Sequence, residues 1–181
     1  ARLRAAGVEA CVTVGSDIAS SRRCVSLARA HDFVYAAVGV HPHEARAAGE
    51  YLDDLEMLLK EERVVALGEI GLDYHYDFSP RDTQKRVMLE QMPLARALDK
   101  PCIFHVREAH GDLIDLFRAE KTLPRGVIHC FSGSAETARE YLRMGFYISF
   151  AGAVTFKNAR GLLDAVLAVP DDRLLIETDS P

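Results

Sequence analysis

Histidine, glutamate and aspartate recur in this sequence directly after short apolar runs. His41 and His43 follow Gly39-Val40. Glu69 lies inside Gly68-Glu69-Ile70-Gly71-Leu72-Asp73, His105 and Arg107 close Phe104-His105-Val106-Arg107, and His129 opens His129-Cys130-Phe131-Ser132-Gly133. Glu177 and Asp179 follow the last run. Taken singly, each has a plain structural use: a hydrogen-bonded core histidine, a Glu69 that caps a turn, an Asp179 that caps a helix. Taken together, Glu69, His105, His129 and Asp179 are four nitrogen and oxygen donors in corresponding positions. Burying such groups in one apolar mouth costs several kcal/mol each unless something compensates, as a divalent cation would. The set has no thiolate, which suits Zn²⁺, Mn²⁺, Mg²⁺ or Co²⁺ without selecting among them. A carboxylate such as Glu69 can bridge two ions, and a pair ~3.5–4 Å apart suits hydrolysis of a phosphodiester or ester-like bond.

The elements that must position these residues repeat. Apolar runs at 8–14, 33–40, 64–70, 101–106, 126–131, 146–150 and 173–178 read as strands. Periodic segments at 20–30, 51–60, 81–98, 112–119, 135–144 and 159–169 read as helices. Strands this apolar are expected to be buried on both faces, hence parallel, and the alternation makes βαβ units. Parallel α/β folds gather their loops at the carboxyl ends of the strands. A doubly wound sheet would concentrate the polar residues at one switch point, whereas delivery from five strands favours a (β/α)₈ barrel. Side chains two apart on a strand share a face, so His41 pairs with His43, His105 with Arg107, and Glu177 with Asp179. His31, His75 and His110 read as solvated helix or loop positions.

The chain has 181 residues, 49% hydrophobic and 27% charged, which excludes disorder, collagen and coiled coil. Its 22 Lys and Arg against 27 Asp and Glu give a net charge of −5, so nucleic acid would not be held by a broad basic field. No apolar run approaches the ~18 residues of a membrane span. Cys11, Cys24, Cys102 and Cys130 form no Cys-x-x-Cys pair, so they read as reduced thiols of a cytoplasmic protein. A dinucleotide site is disfavoured because no G-x-G-x-x-G follows the first strand. Residues 1–6 read as a helix tail and the end falls at a strand tip, so the sequence is expected to be one domain, 1–181, cut from a longer chain.

The motifs GVHPHEA (39–45), GEIGLDYHYD (68–77), PCIFHVRE (101–108), IHCFSGS (128–134), YISFAGAVTFKNA (147–159) and RLLIETDSP (173–181) resemble the TatD family of metal-dependent hydrolases, in order and over essentially the whole chain. The resemblance implies an amidohydrolase-like TIM barrel, incomplete here with strands two to eight, and a metal-dependent deoxyribonuclease activity of the 3′→5′ exonuclease kind. DNA is then the substrate, with no membrane and no obligate protein partner. It implies Glu69 as a bridging carboxylate, His105 and His129 as ligands, and Asp179 as a ligand that also takes a proton from the attacking water. Family members open with a His-x-His pair that this sequence does not show at its start. Arg107 would clamp a phosphate oxygen, or else pair with Glu177 or Glu108. His41 and His43 would touch the substrate phosphate or protonate the leaving group, or else only shape their loop. Glu177 would orient a neighbour, and Lys157 would meet phosphate or solvent. Other readings are an ester or amide hydrolase on the same scaffold, or a protein inactive for want of the first-strand pair.

Overall fold

Seven parallel strands pair in strict chain order, β1-β2-β3-β4-β5-β6-β7, with no reversal. The computed structural model describes residues 2–179. Its elements are α1 (Arg2–Ala5), β1 (Cys11–Val14), α2 (Ile18–Ala30), β2 (Val34–Val38), α3 (Leu52–Leu59), β3 (Val64–Asp73), α4 (Arg81–Ala97), β4 (Cys102–Arg107), α5 (His110–Ala119), β5 (Gly126–Ile128), α6 (Ala135–Arg143), β6 (Tyr147–Phe150), α7 (Arg160–Ala168) and β7 (Leu174–Ile176). In a flat sheet, β3 and β7 would stand about 19 Å apart, four interstrand spacings. Carboxylate oxygens of Glu69 and Asp179 nevertheless lie within 4.8 Å of each other. The sheet therefore curls as the wall of an incomplete TIM barrel, in the order a barrel requires.

The expectation of burial on both faces holds for the middle of the sheet and fails at its margins. Ala36, Val38, Leu67, Ile70, Phe104, Ile128 and Ile148 are fully buried. On β1 the side chains alternate, with Val12 47% exposed, and on β7 Ile176 is 83% exposed. These are the two edge strands, with helix or strand cover on fewer sides than the central ones. Phe104 of β4 packs with Phe117 of α5 and with Phe146, ring centroids 5.0–5.5 Å apart. No helix among the described residues is long and apolar enough to cross a membrane.

Local chemistry explains several element ends. Asp17 caps α2 in a box with Ser20, and Ser134 caps α6 through the Thr137 amide. The β3–β4 ladder slips by one residue between Leu67 and Ile70, so three steps on β3 oppose two on β4. That bulge falls on Glu69 and re-aims it, as bulges beside sites commonly do. Two residues on, Gly71 pairs with His105 at φ 144°, where an added Cβ would sit 1.9 Å from the His105 carbonyl oxygen. Only glycine permits that approach. Gly71→Ala is expected to cost about 3 kcal/mol or more by overpacking and backbone strain, read as a lower denaturant midpoint at unchanged slope.

Two buried glutamines on α4 tie the helix to the strand ends. Gln84 meets both the amide and the carbonyl of Asp73, at 2.8 and 3.0 Å, and also the Ser79 carbonyl. Gln91 does the same for Val40, at 2.8 and 3.2 Å. Seven residues apart, they lie on one helix face. They satisfy backbone groups where β2 and β3 leave the sheet for the loops that carry the site.

Candidate metal centre

Glu69 is the hub. Its Oε2 lies 3.5 Å from His129 Nε2, 3.6 Å from His41 Nε2 and 3.9 Å from His105 Nδ1. Two groupings share it: His41, Glu69 and His105, and Glu69, His129 and Asp179, each with its donor atoms within 4.8 Å of one another. These separations are too long for hydrogen bonds. They match the roughly 3.4 Å between two donors that each sit ~2.1 Å from one tetrahedral ion. The donor set, imidazole and carboxylate around a largely buried mouth, fits divalent cations.

Each donor is oriented by its own neighbours. His105 Nε2 is 2.9 Å from Asp73 Oδ2, which leaves Nδ1 facing Glu69. His129 Nδ1 is 3.4 Å from Glu177 Oε2, which leaves Nε2 facing Glu69. Glu177 is itself held by the Cys130 amide at 2.5 Å. Carboxylate–histidine pairs of this kind fix the ring and raise its basicity as a ligand. His41 differs. Its Nδ1 accepts the His43 amide at 3.1 Å, so in the neutral ring the proton sits on Nε2. His41 therefore offers an N–H to the mouth, suited to an anionic oxygen rather than to a cation.

The electrostatics agree. Burial, with the Asp179 and Glu177 charges, pushes the Glu69 carboxyl above its usual range, despite His129. Burial alone would lower His129, but Glu177, Glu69 and Asp179 outweigh it and raise it. Burial would raise Glu177, and the His129 and Cys130 contacts hold it low instead. Burial takes His105 down to about 4 and His41 to about 2, so both are neutral. At Glu69 the negative charge exceeds what the surroundings offset, the pattern a bound cation reverses.

His41 and His43 are not alternate residues of a strand. β2 ends at Val38, His41 caps a 3₁₀ turn, Pro42–Ala47, and Pro42 supplies the fixed φ of its first position. Both rings still reach the mouth, 4.4 Å apart. His43 Nε2 lies 3.0 Å from Asp73 Oδ2, without the alignment of a hydrogen bond. Arg107 pairs with neither Glu177 nor Glu108 among the described residues; its guanidinium sits 4.9 Å over the Tyr76 ring, at the rim. Lys157 is exposed on its loop.

Of the histidines expected in solvent, His31 and His75 are exposed and His110 is not. His75 meets Glu108 at 2.7 Å. His110 is mostly buried, 3.1 Å from the Tyr141 hydroxyl and packed on Phe131, and burial lowers it to about 4. At the start of α5 it reads as a polar surface residue, and only contacts with distant residues bury it.

Asp73 went unassigned in the sequence. It is 0% exposed, and its carboxylate serves His105 and His43 through Oδ2 and the His75 and Tyr76 amides through Oδ1. Burial would raise its pKa, yet the Tyr76 amide and the two imidazoles hold it at about 2. A signal was present: Asp73 stands four residues beyond Glu69 on the same strand, an acid in an otherwise apolar run.

Glu177→Gln is expected to weaken metal affinity about 10- to 100-fold with little change in melting temperature of the metal-free protein. Titration of the stripped protein with Zn²⁺ or Mn²⁺ reads it.

The model of the TatD-related DNases matches residues 1–181. A Bacillus subtilis relative, the uncharacterized metal-dependent hydrolase YabD, is 46% identical over 99% of this chain and 71% of its own length. The 3′-5′ ssDNA/RNA exonuclease TatD of Edwardsiella piscicida is 39% identical over all of this chain and 71% of its own. The crystal structure of YJJV, a TatD homolog from Escherichia coli K12, superposes with a TM-score of 0.92 at 33% identity, covering 99% of this chain and 71% of that one. A family match over the full sequence, and relatives this similar, establish that the chain belongs to the TatD-related DNase family and is of metal-dependent hydrolase type.

Proposed function

We propose that this site hydrolyses phosphodiester bonds of single-stranded DNA, in the manner of a 3′→5′ exonuclease, with divalent cations, two on this reading, that Glu69 would help to hold. One observation carries the reading: a single Glu69 oxygen faces the His129 and His105 ring nitrogens at 3.5 and 3.9 Å, with the Asp179 carboxylate beside it. Glu69, His105, His129 and Asp179 are the ligands. Bound cations would lower the pKa of a water toward neutrality and offset charge on the phosphate oxygens.

The chain's own residues do the rest. Asp179 accepts the proton of the attacking water. His41, neutral with its proton on Nε2, donates to a phosphate oxygen, and Arg107 at the rim adds a cation for the next phosphate. His43, held against Asp73, closes the same side of the mouth. Glu177 keeps the His129 lone pair aimed inward. The name of the Edwardsiella relative supports a nucleic-acid substrate, and the acidic net charge places recognition on these few local groups. The four free cysteines support a reducing compartment, the cytoplasm.

The test compares turnover of single-stranded DNA, bis-p-nitrophenyl phosphate and an N-acyl amino acid by the full-length protein, alongside its metal content. About two divalent ions per chain and turnover of the two phosphodiesters are expected. Turnover of the acyl amino acid alone would make it an amidase on the same scaffold, and no stoichiometric ion would end the enzyme reading.

A further inference from the structure

The loop after β3 carries two aromatic rings that the chemistry above does not use. Tyr76 is 47% exposed and Phe78 59% exposed. They stack on each other, centroids 5.2 Å apart and planes at 23°. A large ring left half exposed gains little from folding, so a stacked pair of them calls for a ligand with a flat face. The pair adjoins the mouth: His43 meets Phe78 at 4.8 Å and Tyr76 at 5.4 Å, edge to face. Arg107 lies over Tyr76.

The loop is also held in place before any ligand arrives. Asp73 accepts the His75 and Tyr76 amides. Buried Ser79 donates to the His43 carbonyl at 2.9 Å and accepts the Arg46 amide at 3.0 Å. Arg81 clamps Asp77 with two nitrogens at 2.7–3.2 Å. Gln84 takes the Ser79 carbonyl. Little ordering entropy remains to oppose binding. A cation, two stacked rings and a metal-type centre within one ring's reach are the parts that bind a base and its phosphate in unpaired nucleic acid. A duplex offers no free base face there.

We propose that Tyr76 and Phe78 form a stacking platform on which single-stranded nucleic acid rests a base next to the phosphate being cleaved. The platform deepens the phosphodiesterase reading and rests on it for its substrate. It makes the enzyme tolerant of base identity, because every base has a π face, and selective against paired strands.

The test measures binding by fluorescence anisotropy with EDTA present, so no turnover intervenes. The probes are labelled oligothymidylate and an equally long strand without bases. Wild-type protein is expected to prefer the strand with bases by about 5- to 100-fold. Phe78→Ala and Tyr76→Ala should each cut that preference at least about fivefold. Phe78→Leu, which keeps an apolar side chain but no π face, should behave like alanine, and Phe78→Trp should restore the preference. Melting temperatures confirm folding of each variant. Equal binding of both strands by wild type, binding of neither, or an unchanged preference in Phe78→Ala overturns the platform. Hydrolysis of DNA with an unchanged preference would remove the platform and leave the nuclease; a collapsed preference without hydrolysis would do the reverse.

Discussion

Glu69→Gln is expected to lower hydrolysis about 10³-fold or more and to raise the melting temperature of the metal-free protein. The two signs come from one cause. Glutamine keeps the shape but removes the charge that, on the proposed reading, would hold the cations, and metal-assisted stabilisation of the transition state is worth several kcal/mol. In the metal-free protein the same carboxylate is a burden. Burial and the neighbouring Asp179 and Glu177 raise its pKa above the unfolded value. A carboxyl so shifted binds more protons folded than unfolded, so it subtracts stability as pH rises through the unfolded pKa and beyond. Neutral glutamine removes that loss at pH 7. Metal titrations followed by thermal melting separate the outcomes. Wild type gains stability with Zn²⁺ or Mn²⁺, and the variant starts higher and gains little. A variant that starts lower and still binds metal as wild type does would contradict the bridging role.

Asp179→Asn is the second large effect. In the proposed role of Asp179, Asn would keep an oxygen for the cation but could not take a proton, so kcat is expected to fall about 10²- to 10⁴-fold, the usual worth of a general base. KM for an oligonucleotide should change less than about threefold, because base stacking and the cationic groups are untouched. Equal loss in kcat/KM through KM alone would make Asp179 a binding group instead.

Much of this was legible in the residues because parallel strands announce themselves. Short, mainly apolar runs mark β2, β3 and β4, breakers mark the junctions with the helices, and the donors fall at strand ends by the nature of the fold. What stayed hidden depended on contacts between distant segments. His41-Pro42-His43 reads as strand alternation, and only Pro42 hints at the turn that the structure shows. The bulge that aims Glu69 is invisible without the β4 partner, because Gly68 and Gly71 matter through backbone approach to Ile103 and His105. Gln84 and Gln91 look like wet helix positions, yet they are 1% and 0% exposed, because strand ends left their amides and carbonyls unpaired at that height. Their spacing of two helical turns, on the face that carries Val87 and Met88, was the available signal. The edge strands went the other way: their apolar residues suggested full burial, but β1 and β7 have a neighbour on one side only.

Anomalous scattering from crystals grown with Mn²⁺ or Zn²⁺ bears most directly on cations shared at this mouth. Peaks are expected beside Glu69 Oε2, one toward His105 and one between His129 and Asp179, ~3.5–4 Å apart. Density for the ion on surface carboxylates only, with Glu69, His129 and Asp179 free of it, would contradict the shared centre and with it every role assigned to these side chains.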